Sequence, residues 1–315
     1  MAHLMETMAY AGETPWHGLG VQVEDNLTVE EMIEAAGISW GVRKSPLFYE
    51  VDGETINSGK YALLRDTDNR ILDTVSDSWE PCQNSDAFAI FEEFVDRGEL
   101  EMHTAGSLKD GQIVWGLAKM KEQFALFNDD VTEQYLLLVN PHKFGQGIHV
   151  RSTPIRVVCN NTLSFSLGQH SDVKSTQNHR NAFDVDAMKQ AIGIAKDKFE
   201  TYQEAAQLLS RKRFNVVTLE EYFAEIFPGY SAKETSGEKI QLSRAAERAI
   251  EVVEEQPGAE FGKGTWWQAF NAVTYLSDHE LGRNPDSRLR SAWFGINKDR
   301  KNNALQKAVE FAEAA

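Results

Sequence analysis

Cysteine is nearly missing: Cys82 and Cys159 are the only two in 315 residues. That excludes a disulfide framework, and two thiols do not make a metal site by themselves. No run approaches the ~20 apolar residues that a membrane-crossing helix requires. The opening Met1–Glu6 lacks the basic-then-apolar layout of a secretory leader. A cytoplasmic protein with no membrane partner is therefore expected. Also missing are a Gly-x-Gly-x-x-Gly loop, a His-Glu-x-x-His helix and a paired-cysteine motif, and Gly262-Lys263-Gly264-Thr265 lacks the P-loop spacing. These absences remove the common nucleotide cradles and metal centres. No cofactor, no metal ligand and no catalytic residue is assigned.

Positive charge is scarce as well. Lysine and arginine total 32 against 48 aspartates and glutamates, for a net charge of −16. Such a balance argues against coating nucleic acid through bulk charge. The acids are unevenly spread, however. Between Gln134 and Ser171 there is neither Asp nor Glu, while Lys143, Arg151 and Arg156 lie inside that interval. Continuing to Arg180 adds Lys174 and Arg180 against Asp172 alone, and His142, His149, His170 and His179 fall in the same stretch. Tyr135–Val139 reads as a buried strand, which accounts for part of the interval but not for its arginines and histidines.

Local signals then give the organisation. Thr28-Val29-Glu30-Glu31 is a capping box, with Met32, Ile33 and Ala36 following at helical spacing and Gly37 supplying a left-handed exit. Phe48–Val51 stops at Asp52-Gly53, a hairpin signal. Tyr61–Arg65 and Arg70–Leu72 flank the turn formers Asp66–Asn69, predicting a second hairpin. A helix is predicted from near Ser85, carrying Phe88, Phe91, Phe94 and Val95 on one stripe up to Arg97-Gly98. Strands are predicted at Ile113–Leu117, at Tyr135–Val139 (apolar throughout, hence central) and at Val150–Cys159, where Pro154 suits an edge or a bulge. After Asp184 the texture becomes helical. The expected helices run over Ala187–Leu209, from Thr218, from Lys239 to Glu255, from Trp266 to Leu276, and from Lys298 onward. Thr218-Leu219-Glu220-Glu221 and Thr265-Trp266-Trp267-Gln268 read as further capping boxes. The fold class is α+β, with a mixed or antiparallel sheet over residues 1–184 and a helical region over 185–315.

Two constellations carry candidate chemistry. Thr14-Pro15-Trp16-His17-Gly18-Leu19-Gly20 offers a stacking ring between glycines, or else an arm pinned to the core by its tryptophan. The second runs from His149 to Leu163. Residues two apart on a strand share a face, so His149 and Arg151 point the same way until Pro154 disturbs the register. Arginine and histidine hold phosphates, while Asn160, Asn161 and Thr162 suit backbone or base contacts. Read instead as structure, the same residues are a polar turn after a strand. Cys159 reads as a buried thiol. The candidate nucleic-acid contacts are Lys143, His149, Arg151, Arg156, Asn160, Asn161, Thr162, Lys174 and Arg180.

Pro15–Gly20, Trp79-Glu80-Pro81-Cys82-Gln83-Asn84, Thr104–Leu108, Arg156–Leu163 and Trp267–Asn271 occur in an order that resembles the family known as domain of unknown function 932. Trp79 and Cys82 stand where that family often has Tyr and Val. The resemblance implies a phage- or plasmid-borne setting and supplies no activity or catalytic residue. The function expected is non-enzymatic binding of single-stranded nucleic acid, extending to strand annealing in recombination, by a homo-oligomer. Its contact surfaces are sought on the helix from Ala187 and on Trp266-Trp267, which read equally as core. Two alternatives stand beside it: an enzyme acting on nucleic acid or nucleotide through the histidines, and a protein-binding counter-defence factor working through its acidic surface.

Overall fold

The computed structural model describes residues 5–12, 20–156, 161–162, 165–166, 176–180, 184–229 and 242–314. The chain forms two compact units, each assembled from three stretches. The first comprises Met1–Lys121, Tyr135–Ser152 and Ser166–Lys196; the second comprises Glu122–Gln134, Thr153–Phe165 and Asp197–Ala315.

The strands are β1 (Met5–Tyr10), β2 (Val21–Gln22), β3 (Val42–Val51), β4 (Glu54–Arg65), β5 (Ile71–Val75), β6 (Leu100–Leu108), β7 (Ile113–Leu126), β8 (Asp130–Pro141), β9 (Ile148–Arg156), β10 (Asn161–Thr162), β11 (Phe165–Ser166) and β12 (Thr176–Gln177). One sheet has the order β10-β9-β8-β7-β6-β1-β2, and β3-β4-β5 form a separate three-stranded sheet. The long pairings β3–β4, β4–β5, β6–β7 and β1–β6 are all antiparallel, and β1–β2 is parallel. The α+β class and the order of sheet before helices are as expected. β8 lies between β7 and β9 and is buried along nearly its whole length, as its unbroken apolar run predicts.

In the first unit, α1 (Val29–Ala35) starts on the predicted box: Glu31 N donates to Thr28 Oγ1 at 3.2 Å and Thr28 N donates to Glu31 Oε2 at 2.8 Å. The hairpin at Asp52-Gly53 has both central residues at positive φ, 52° and 83°, which matches the twist of the flanking strands. α2 (Asn84–Asp96) buries Phe88 and Phe91 within the core formed with Met32, Met102, Val114 and Leu136. Burial on this scale stabilises by about 3 kcal/mol per ring. Gly116 makes room for one of them, since a Cβ there would lie 2.6 Å from Phe88 Cε1.

The second unit is built around α3 (Val185–Arg211, from residue 197 on), α4 (Val216–Ile226), α5 (Arg244–Glu255), α6 (Trp266–Tyr275), a π-helical turn at Leu276–Glu280, α7 (Pro285–Phe294) and α8 (Ile296–Ala314). No described helix is long and apolar enough to cross a membrane. Trp266 and Trp267 are fully buried and belong to this unit's core, so they offer no association surface. Trp267 Nε1 donates to the buried Asp130 carboxylate at 2.7 Å. Lys301 is buried with Asp278 at 2.6 Å.

Two caps differ from expectation. α4 is capped one turn earlier than predicted, by Asn215, with Thr218 closing the box from the third helical position. At α6 the Thr265 hydroxyl donates instead to Gly262 O at 2.5 Å, and Gln268 Oε1 accepts from Gly264 N at 2.8 Å. Beyond α4, residues 230–241, which include the start of the helix predicted from Lys239, lie outside the described residues, as do Cys159, His170 and most of the Thr14–Gly20 motif.

Candidate nucleic-acid interface

The acid-free stretch folds as the end of β8, a tight turn and β9. In the turn, Gln146 N donates to Lys143 O at 3.3 Å, and Gly145 takes φ +78°, a conformation that strains any residue with a Cβ. Phe144, between them, is 58% exposed. Its amide donates to Asp73 Oδ2 at 2.8 Å, which fixes the turn against β5. Lys143 is half-buried and pairs with no carboxylate among the described residues.

Burial along β9 alternates as predicted: His149 and Arg151 are half-buried, and Val150 and Ser152 are buried. His149 Nδ1 donates to Gly147 O at 3.0 Å. Arg151 makes interactions of its own within the fold. β12 pairs with the start of β9, Thr176 opposite His149 and Gln177 opposite Ile148, and leads into Arg180, which is exposed and has no carboxylate partner among the described residues. Lys143 stands in the turn between β8 and β9, His149 and Arg151 lie on β9, and Arg180 lies three residues beyond β12, all in the first unit. In the second unit, Arg156 ends β9 opposite Asn161, and Thr162 lies opposite Ile155. The side chains of Arg156, Asn161 and Thr162, and all of Asn160 and Lys174, lie outside the described residues.

Two of the four histidines in the stretch lead elsewhere. His142 is fully buried, and its Nε2 donates to Asn84 Oδ1 at 2.9 Å. The same oxygen accepts from Asn140 Nδ2 at 3.2 Å, while Asn84 Nδ2 donates to Ile38 O at 2.9 Å and Trp40 O at 3.2 Å. Those carbonyls fix which way the amide faces, and so make His142 the donor. Asn140 Nδ2 also reaches Cys82 O at 3.1 Å. His179 stacks on Trp79 with centroids 4.1 Å apart. Burial, reinforced by His179, lowers the His142 pKa to about 3. Burial lowers that of His179 too, against the carbonyls of Glu80 and Pro141. Burial, with Asp86 nearby, pushes the Cys82 thiol up to about 12.

This cluster is neutral at physiological pH and shielded from solvent. It ties the chain after α1, the start of α2 and the end of β8 together, and it supplies neither a nucleophile nor a poised acid or base. Its signal in the sequence was the Trp79–Asn84 motif beside a histidine-rich stretch. Among the described residues no group of three or more His, Cys, Asp or Glu is placed to hold a metal ion.

No curated protein and no solved structure matches the chain. A family model does, that of domain of unknown function 932, over residues 71–293, which takes in α2, the acid-free stretch and most of the helical unit. The chain belongs to the domain of unknown function 932 family.

Proposed function

We propose that the protein binds single-stranded nucleic acid without transforming it, along the surface marked by Lys143, His149, Arg151 and Arg180, in a strand-annealing role suited to phage or plasmid recombination. The observation that carries this reading is a pair of cations, Lys143 and Arg180, without carboxylate partners among the described residues of a chain of net charge −16. Cations left unpaired beside a strand favour a phosphate backbone, and the exposed ring of Phe144 adds a face on which a base stacks. The buried, neutral state of His142 and His179 favours binding over histidine-based catalysis at this surface.

The test is anisotropy of a labelled single-stranded oligonucleotide across a salt series. Lys143→Ala and Arg180→Ala should each flatten the log–log salt slope by about 0.7. Phe144→Ala should weaken binding by about 1–3 kcal/mol at every salt concentration. Arg151→Ala should do both, with a lower melting temperature, because that side chain is half-buried and engaged within the fold. Parent-like binding by all four folded variants overturns the reading.

A further inference from the structure

Residues 48–57 form the outer end of the β3–β4 hairpin, and every one of them is exposed. β5 pairs with β4 only between Tyr61 and Leu64, so this end is a two-stranded ribbon among the described residues. Such a ribbon is marginally stable in water when left alone. Its composition is also not that of a solvated ribbon: Phe48 is 56% exposed, Tyr49 50%, Val51 47% and Ile56 38%. Tyr49 stands directly opposite Ile56, and the strand period puts Val51 on the same face. Contiguous exposed apolar surface of this kind marks a contact with another molecule.

Charge narrows the choice of partner. Glu50, Asp52 and Glu54 surround the tip, and none of them pairs with a cation among the described residues. Three carboxylates repel a phosphate backbone, so the tip fits an acceptor that is cationic and partly apolar. The same chain carries such an acceptor: Lys143, Arg180 and the exposed ring of Phe144. We propose that the hairpin tip of one copy seats on the β8–β9 turn and the segment after β12 of a second copy, with Tyr49 and Ile56 covered and the tip carboxylates against Lys143 and Arg180. The contact joins two different surfaces, so it repeats from copy to copy. It goes beyond nucleic-acid binding and does not depend on it, although an oligonucleotide held at the same surface would compete with the tip.

The test is sedimentation velocity of the full chain without oligonucleotide, at about 100 μM protein, where micromolar contacts are populated. The parent should associate, and salt should weaken that association. Tyr49→Ser with Ile56→Ser, the triple change E50K/D52K/E54K, and K143E/R180E should each lower the association constant at least about tenfold. Residues 49–56 and Arg180 are exposed, so the tip variants and Arg180→Glu alone should melt like the parent; Lys143 is half-buried, and R180E, expected to lower the association constant on its own, separates lost contact from lost fold. Mixing the E50K/D52K/E54K chain with the K143E/R180E chain should restore association, because one charge-reversed tip then faces one charge-reversed acceptor. A parent that stays monomeric overturns the proposal. So does association that survives the tip changes, and so does association that survives K143E/R180E, which would place the tip on another surface. Because no nucleic acid is present, loss of the binding reading leaves this result standing, and the reverse also holds.

Discussion

Two buried polar sites, one in each unit, are built in opposite ways. The site in the first unit holds Asn84, Asn140 and His142, all uncharged, with one amide oxygen shared between two donors. The site in the second holds a full ion pair, Lys301 with Asp278 of the π-helical turn. A neutral network costs little to desolvate but fails piece by piece, since each deletion orphans several partners. A buried ion pair is expensive to desolvate, and it depends on both members being present.

The sharpest way to break the contrast is Lys301→Met. It leaves Asp278 charged and buried, and should destabilise the second unit by about 3–5 kcal/mol in urea unfolding. Adding Asp278→Leu should recover most of that loss; a double variant as unstable as the single one would show that packing, not charge, governs the site. Next in size is Asn84→Ala in the first unit. It strips His142 and Asn140 of their acceptor and two carbonyls of their donor, for an expected loss of about 2–3 kcal/mol.

The shallowest effect, spread over several pH units, sharpens the comparison through pH. His142 titrates near 3 in the folded chain, below its ordinary value of 6.5. As pH falls below about 6.5 the unfolded chain takes up that proton and the folded chain does not. The His142 contribution is therefore complete above pH ~6.5 and shrinks by up to about 1.4 kcal/mol per pH unit on the way down to its folded value. Melting curves from pH 7.5 to 4.5 should show this slope, and His142→Gln should flatten it. A slope unchanged by His142→Gln would assign the acid sensitivity to other groups, His179 first.

Much of the fold was legible because its signals are local. The Thr28–Glu31 box, the Asp52-Gly53 turn and the apolar run of β8 each depend on residues within one turn or one strand. β6 was not legible: Leu100–Leu108 is buried at nearly every position, and the run Thr104-Ala105-Gly106-Ser107 shows no apolar alternation to read. Nor was β1, whose pairing with β6 is set a hundred residues away. α7 carried a readable signal in Asn284-Pro285, cap and first-turn proline together. At α4 the sequence signal puts the cap at Thr218, whereas Asn215 caps three residues earlier, with Val216 and Val217 left in water.

The candidate site was half legible. Charge distribution picked out Lys143, Arg151 and Arg180, but it could not separate the half-buried His149 on β9 from His142 in the interior. That distinction rests on Asn84, far away in the chain. Phe144 escaped notice because one exposed ring in a loop has no periodicity to betray it.

The close approach of Phe88 to Gly116 has a consequence for descent. A side chain at position 116 would force the Phe88 ring to move, and a smaller residue at 88 leaves a hollow that favours the change at 116. The two positions are therefore bound to drift together. Members of this family should divide into those that keep the aromatic with the glycine and those that have exchanged both, and chains with only one of the two changes should be rare.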